Sequence, residues 1–122
     1  MNVSDLANQW VSYWDHPDGA AVVADADSVL GNLARDDPEA CWHTILAILE
    51  RIEADPSNKA FQVLAAGPLE DLLAEHGPAV IASVELQARR DPKLNLLLGG
   101  VWQNAISNDV WSRVQAIRNA VW

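Results

Sequence analysis

Hydrophobic positions recur with helical spacing along nearly the whole chain. Ser4 is placed to cap a first helix carrying Leu6, Trp10, Tyr13 and Trp14, and His16-Pro17-Asp18-Gly19 stops it. A second helical stretch lies within 20–35, with Val22, Val29, Leu30 and Leu33 inward and with Asp25, Asp27 and Gly31 weakening it. Asp37-Pro38 starts the clearest helix, because aspartate caps well and proline suits the first helical position. Its stripe is Trp42, Ile45, Leu49 and Ile52, widened by Cys41 and Ile48. Asp55-Pro56 is read as opening a shorter helix around Phe61, Val63 and Leu64 that ends near Gly67.

Gly67-Pro68 and Gly77-Pro78 form a pair of breakers, each ending one helix and opening the next. Between them Leu69, Leu72, Leu73 and His76 share a face, with His76 as a C-terminal cap. Val80, Ile81, Val84 and Ala88 follow, up to Arg89-Arg90. Asp91-Pro92 opens a helix through Leu94, Leu97 and Leu98, and Gly99-Gly100 loosens the chain. Ser107-Asn108-Asp109 caps a last helix with Val110, Val114, Ile117 and Val121 inward. No strand alternation competes. The expected class is all-α, one domain over 1–122 with about seven or eight short helices. Ala34-Arg35-Asp36-Asp37-Pro38 echoes Ala88-Arg89-Arg90-Asp91-Pro92, which allows HEAT-like stacking of helical hairpins; a cheap helix start used repeatedly explains it as well.

Charge changes the picture more than composition does. Seventeen Asp/Glu face eight Lys/Arg, a net charge of −9. Residues 1–61 hold 11 acids and 3 bases, whereas from Arg89 onward there are 5 bases and 2 acids. Direct binding to nucleic acid is not expected of such a chain. One cysteine, Cys41, cannot make an internal disulfide, which argues for a reducing, cytoplasmic setting. The segment Met1–Asp5 has neither a basic start nor an apolar run behind it, so no secretory signal is expected, and no apolar stretch approaches a membrane span.

Candidate chemistry is sparse. His16, His43 and His76 lack second ligands at metal-binding spacing, so no metal and no cofactor are expected. Asp25-Ala26-Asp27 fails as a calcium loop, because Leu30 stands where glycine is required. Cys41 reads as a buried small hydrophobe. Glu70 and Asp71 offset a helix dipole after Pro68, and Glu85 is placed to pair with Arg89 four residues on. Six tryptophans are many for this length; most fall on inward faces, and Trp122 is the candidate for an exposed anchor.

The strings Leu64-Ala65-Ala66-Gly67-Pro68-Leu69-Glu70-Asp71-Leu72-Leu73, His76-Gly77, Ala88-Arg89-Arg90-Asp91-Pro92, Gly100-Val101-Trp102 and Val110-Trp111 resemble a small bacterial family of unknown function. Asp36-Asp37-Pro38-Glu39 and Trp42 with Ile45-Leu46 fit it too, so the resemblance covers most of 34–114. It implies a compact helical domain and no particular activity. Lys93-Leu94-Asn95 departs from a more basic, aromatic stretch, and the first 30 residues carry no resemblance.

The expected function is a protein-interaction module rather than an enzyme. The reading is a small acidic immunity protein, antitoxin or phage-type inhibitor that binds and neutralises a basic protein. Asp25, Asp27, Asp36, Asp37, Glu39 and Trp122 are the expected partner-binding residues. The alternatives are a hydrolase using Glu70, Asp71, Glu85 and His76, and a structural subunit that forms a homo-dimer or larger homo-oligomer.

Overall fold

The structure, a computed structural model, describes residues 2–15 and 24–122; the side chains of 15 and 24–28 are outside the described set. Among the described residues every regular element is a helix: α1 (Val3–Asp15), α2 (Ala24–Asp36), α3 (Pro38–Leu49), α4 (Lys59–Leu64), α5 (Glu70–Arg90), α6 (Pro92–Leu98) and α7 (Asn108–Ile117). A π-helical turn, Ala65–Leu69, joins α4 to α5. The chain is all-α, and no described helix is long and apolar enough to cross a membrane.

Helix starts follow the caps, with two corrections. Asn2, not Ser4, caps α1, its Oδ1 accepting from Asp5 N–H at 2.8 Å, while Ser4 Oγ accepts from Arg51 at 3.0 Å. Asp37 caps α3, and Asp91 and Ser107 cap α6 and α7. Asp55-Pro56 starts no helix. Asp55 instead closes a turn by accepting from Ser57 N–H and Oγ–H, both at 2.9 Å, and Asn58 caps α4. The stop at His16–Gly19, and Val22, lie outside the described residues. α2 runs unbroken through Gly31, with Leu30 buried and Val29 exposed.

The glycine–proline pairs do not end helices. At Gly67-Pro68 the chain widens into the π turn and continues. At Gly77-Pro78 it kinks, with His76 at φ −136°, and α5 continues to Arg90. Proline lacks the N–H of a regular helix and its ring crowds the carbonyl one turn back, so each site must deform. The result is one nearly continuous helical path from Lys59 to Arg90.

α5 is the centre of the fold and contacts α2, α3, α6 and α7, while α1 packs on α3 and α2. These are the crossed contacts of a bundle. One hydrophobic cluster runs through it, from Leu6 and Trp10 on α1 through Ile45 and Ile48 on α3, Leu72 and Ile81 on α5 and Leu94 on α6 to Val114 on α7. Beyond α7 the chain turns extended. Val121 is 69% exposed there rather than inward, because the helix that would have aimed it ends at Ile117.

Candidate functional site

α2 ends against α3 in a sharp corner. Its late carbonyl at Arg35 accepts from His76 Nε2 at 2.7 Å, so the α5 kink satisfies the end of α2. His76 therefore caps a neighbouring helix rather than its own. Arg35 folds onto Asp36, with Nε to Oδ1 at 2.9 Å, and this bond holds the Asp36 carboxyl below its usual range. Asp37 Oδ1 accepts from Ala40 N–H at 3.1 Å. Two of the three acids at the corner are thus engaged locally. Glu39 is exposed and has no hydrogen-bond or ion-pair partner among the described residues.

Glu39 stands on the rim of a groove of about 380 Å³ between α3 and α5. Pro38, Trp42, Ala79 and Val80 supply apolar surface, and Glu39, His43 and Ser83 supply polar groups. Glu39, Trp42 and His43 share a face because they lie three and four residues apart on α3; Ala79 and Ser83 are four apart on α5. Cys41 belongs to the inner side of α3. Burial pushes its thiol up to about 12, with Asp71 and Asp37 adding to the shift, so it is no nucleophile at neutral pH.

A family model, Family of unknown function (DUF6869), matches residues 19–121. The chain belongs to this family. The match starts at residue 19, so it takes in residues 19–30, the last part of the N-terminal segment that carried no resemblance in the sequence, and leaves out residues 1–18. No match was found among curated proteins or among solved structures.

In this DUF6869 chain the corner holds Asp36, Asp37 and Glu39 together. The side chains of Asp25 and Asp27 lie outside the described residues; their backbone is in the first turn of α2. Trp122 is a correction, since it is half-buried and packed. Its ring stacks on Phe61 with centroids 5.4 Å apart, and Nε1–H donates to Leu96 O at 2.7 Å. Gly99 and Gly100 make this bed: a Cβ on Gly100 would lie 2.4 Å from the indole. The exposed tryptophan is Trp102, at 66%.

The four residues considered for hydrolysis do not gather at one place. Glu70 accepts from Trp102 N–H at 3.0 Å and from Asn104 Nδ2 at 2.9 Å. Glu85 pairs with Arg113 on α7, not with Arg89. His76 is spent on Arg35. Glu70 and Glu85 are separated by about 22 Å of helix axis at 1.5 Å per residue. None of the four lines the α3–α5 groove. His43 and Ser83 are groove residues that sequence reasoning missed. The i,i+4 pair Glu39/His43 was visible, but its partner helix was not.

Proposed function

We propose that this DUF6869 protein is a protein-interaction module whose acidic α2–α3 corner binds a basic protein and neutralises it, in the manner of an immunity protein, antitoxin or other inhibitor. The observation that carries the reading is Glu39, exposed and unpartnered on the rim of a groove with both apolar and polar lining. A lysine or arginine suits that arrangement: its aliphatic stem lies on Pro38 and Ala79, the more exposed apolar residues of the groove, while its cation meets the carboxylate. The excess of acids in residues 1–61 adds long-range attraction, which speeds association and makes it salt-sensitive. The single, buried Cys41 accords with a cytoplasmic setting, since one free cysteine makes no disulfide within the chain.

The test is co-purification from host lysate at rising salt, comparing wild type with the triple variant Asp36→Asn, Asp37→Asn, Glu39→Gln. Asparagine keeps the α3 cap, so the variant stays folded. Recovery of the basic partner is expected to fall about tenfold at low salt, with a flatter salt dependence. A second variant, Asp25→Asn with Asp27→Asn, measures what the first turn of α2 adds. Unchanged recovery in both variants would refute the reading.

A further inference from the structure

α5 is covered by α2, α3, α6 and α7, yet one side of it faces water. Glu75, Ala79, Ala82, Leu86 and Arg89 recur at four, three, four and three steps, so they share that side, and all five are exposed. Leu86, at 52%, is the one leucine among the described residues that is more than half exposed. From Pro78 to Leu86 the outward residues carry no charge; Glu85 is turned toward α7, where Arg113 takes its carboxylate.

The two ends of this face differ in sign. Glu75 stands at one end, and Glu39, which lines the α3–α5 groove together with Ala79, belongs to the same end. Arg35 faces Glu75, but its guanidinium is already bonded to Asp36. Arg89 and Arg90 stand at the other end. The ion pairs among the described residues are Arg35–Asp36 and Arg113–Glu85, so neither arginine is in one. Arg90 donates to the neutral Gln87 Oε1 at 3.4 Å. Two acids border these arginines. Asp91 turns back to accept from Lys93 N–H as the cap of α6, and Glu50 lines a groove of about 300 Å³ with Lys93.

A face that runs acidic, uncharged, basic is complementary to itself turned end over end. Glu75 and Arg89 each lie seven positions from Ala82, about 10 Å along the axis at 1.5 Å per residue. Two copies of α5 crossing antiparallel at Ala82 therefore set Glu75 of each against Arg89 of the other. Leu86 of each lies over Ala79 of the other, and the contact is isologous. Alanine at the crossing lets the axes approach to about 8 Å, the close end of the usual range. A parallel pair would set Glu75 against Glu75 and Arg89 against Arg89, which opposes it. We propose that this protein forms a symmetric dimer through the outer face of α5, the two helices antiparallel. The inference goes beyond the capture of a basic partner, which is assigned to the acidic corner, and does not rest on it.

Sedimentation and light scattering on the purified full chain test this. A contact built on one helix from each copy falls in the weak class below roughly 1,200 Å². Mass is therefore expected to rise from 13.3 kDa toward twice that value, and no further, between about 10 and 500 μM. Leu86→Glu is expected to weaken association at least about tenfold. Circular dichroism checks the fold, and Ala82→Glu replaces Leu86→Glu if the latter unfolds. Glu75→Arg and Arg89→Glu each set like charges together at both ends of the contact, and each alone is expected to weaken it about tenfold. Mixed in equal amounts, these two variants are expected to associate as wild type does, because both end contacts again join opposite charges. The proposal is overturned by a wild type that stays monomeric throughout or grows beyond a dimer. It is equally overturned if Leu86→Glu associates as wild type does, or if the mixture associates no better than either variant alone. Glu75, Leu86 and Arg89 lie outside the acidic residues substituted in the capture experiment. Partner capture, measured at far lower protein concentration, therefore stands or falls separately.

Discussion

Cys41 is fully buried in the core, and its thiol is pushed up to about 12 chiefly by burial. At pH 8 the native chain is therefore expected to alkylate at least about a hundredfold more slowly than the chain in denaturant. Iodoacetamide labelling followed by mass measurement reads both rates; equal rates would mean that α3 opens readily. Glu85 makes a second case. From sequence its natural partner was Arg89, one helical turn on, because only spacing within a helix is visible there. The structure gives it to Arg113, 28 positions away, and that hydrogen bond lowers the Glu85 carboxyl below its ordinary 4.5. A carboxylate with a lowered folded pKa stabilises the fold above its unfolded value and loses that contribution as pH falls through the folded one. Glu85→Gln should thus lower the melting temperature at pH 7, and the gap from wild type should close as pH drops below 4.5. A gap that persists at low pH would assign the loss to packing rather than to charge. Trp122, expected as an exposed anchor, is half-buried for a related reason. Trp122 looked free because it stands beyond the last helix, yet the bed that holds it is built from Gly99, Gly100 and Phe61, all distant in sequence.

Among the elements, those starting with a capping residue and a proline at the next position were legible: α3 and α6 begin where Asp37-Pro38 and Asp91-Pro92 place them. The glycine–proline pairs were read as stops because local chemistry disfavours a helix there. Tertiary packing overrides that preference. The π turn sits among buried Ala65, Pro68 and Leu69, and the kink brings His76 to Arg35 and Gly77 against α7. A Cβ on Gly77 would meet Val110 Cγ2 at 2.9 Å, and valine is stiff, so α5 and α7 would have to separate. Gly77→Ala is expected to destabilise by about 1–3 kcal/mol. Gly31, inside α2 with nothing within 4 Å of an added Cβ, should behave oppositely. Gly31→Ala is expected to stabilise by about 0.5–1 kcal/mol, the usual gain of alanine over glycine in a helix. Urea titration of both variants decides the point. The same sign for both would mean that helix propensity, not the α5–α7 approach, governs Gly77.

At the scale of the molecule, the all-α class and the buried stripes of α3, α6 and α7 followed from periodicity, whereas the arrangement around α5 and the α3–α5 groove did not. Periodicity shows which face of a helix turns inward, but not which helix it meets. The closing segment after α7 is the clearest instance, since a stretch whose spacing continued the last helix to Val121 leaves the helix at Ile117 and completes the core instead through Trp122. Asn95, buried on α6, donates to Ile117 O at 3.0 Å and accepts from Asn119 N–H at 2.8 Å, which turns the chain back toward α6. Trp122 N–H then donates to Gly99 O at 3.0 Å, and the indole covers Phe61. Removing the ring exposes Phe61 and takes one of its two donors from the Leu96 carbonyl, which keeps the Gly99 N–H. Trp122→Ala is expected to cost about 2–4 kcal/mol, toward the lower end of the range for large aromatic truncations because the ring is only half-buried. Trp122→Phe keeps the stacking and loses only the hydrogen bond, so about 1 kcal/mol is expected. Thermal and urea unfolding give both values. If Trp122→Ala lost no more than Trp122→Phe, the stacked ring would contribute nothing, and the core formed by α1 to α7 would be closed without this segment.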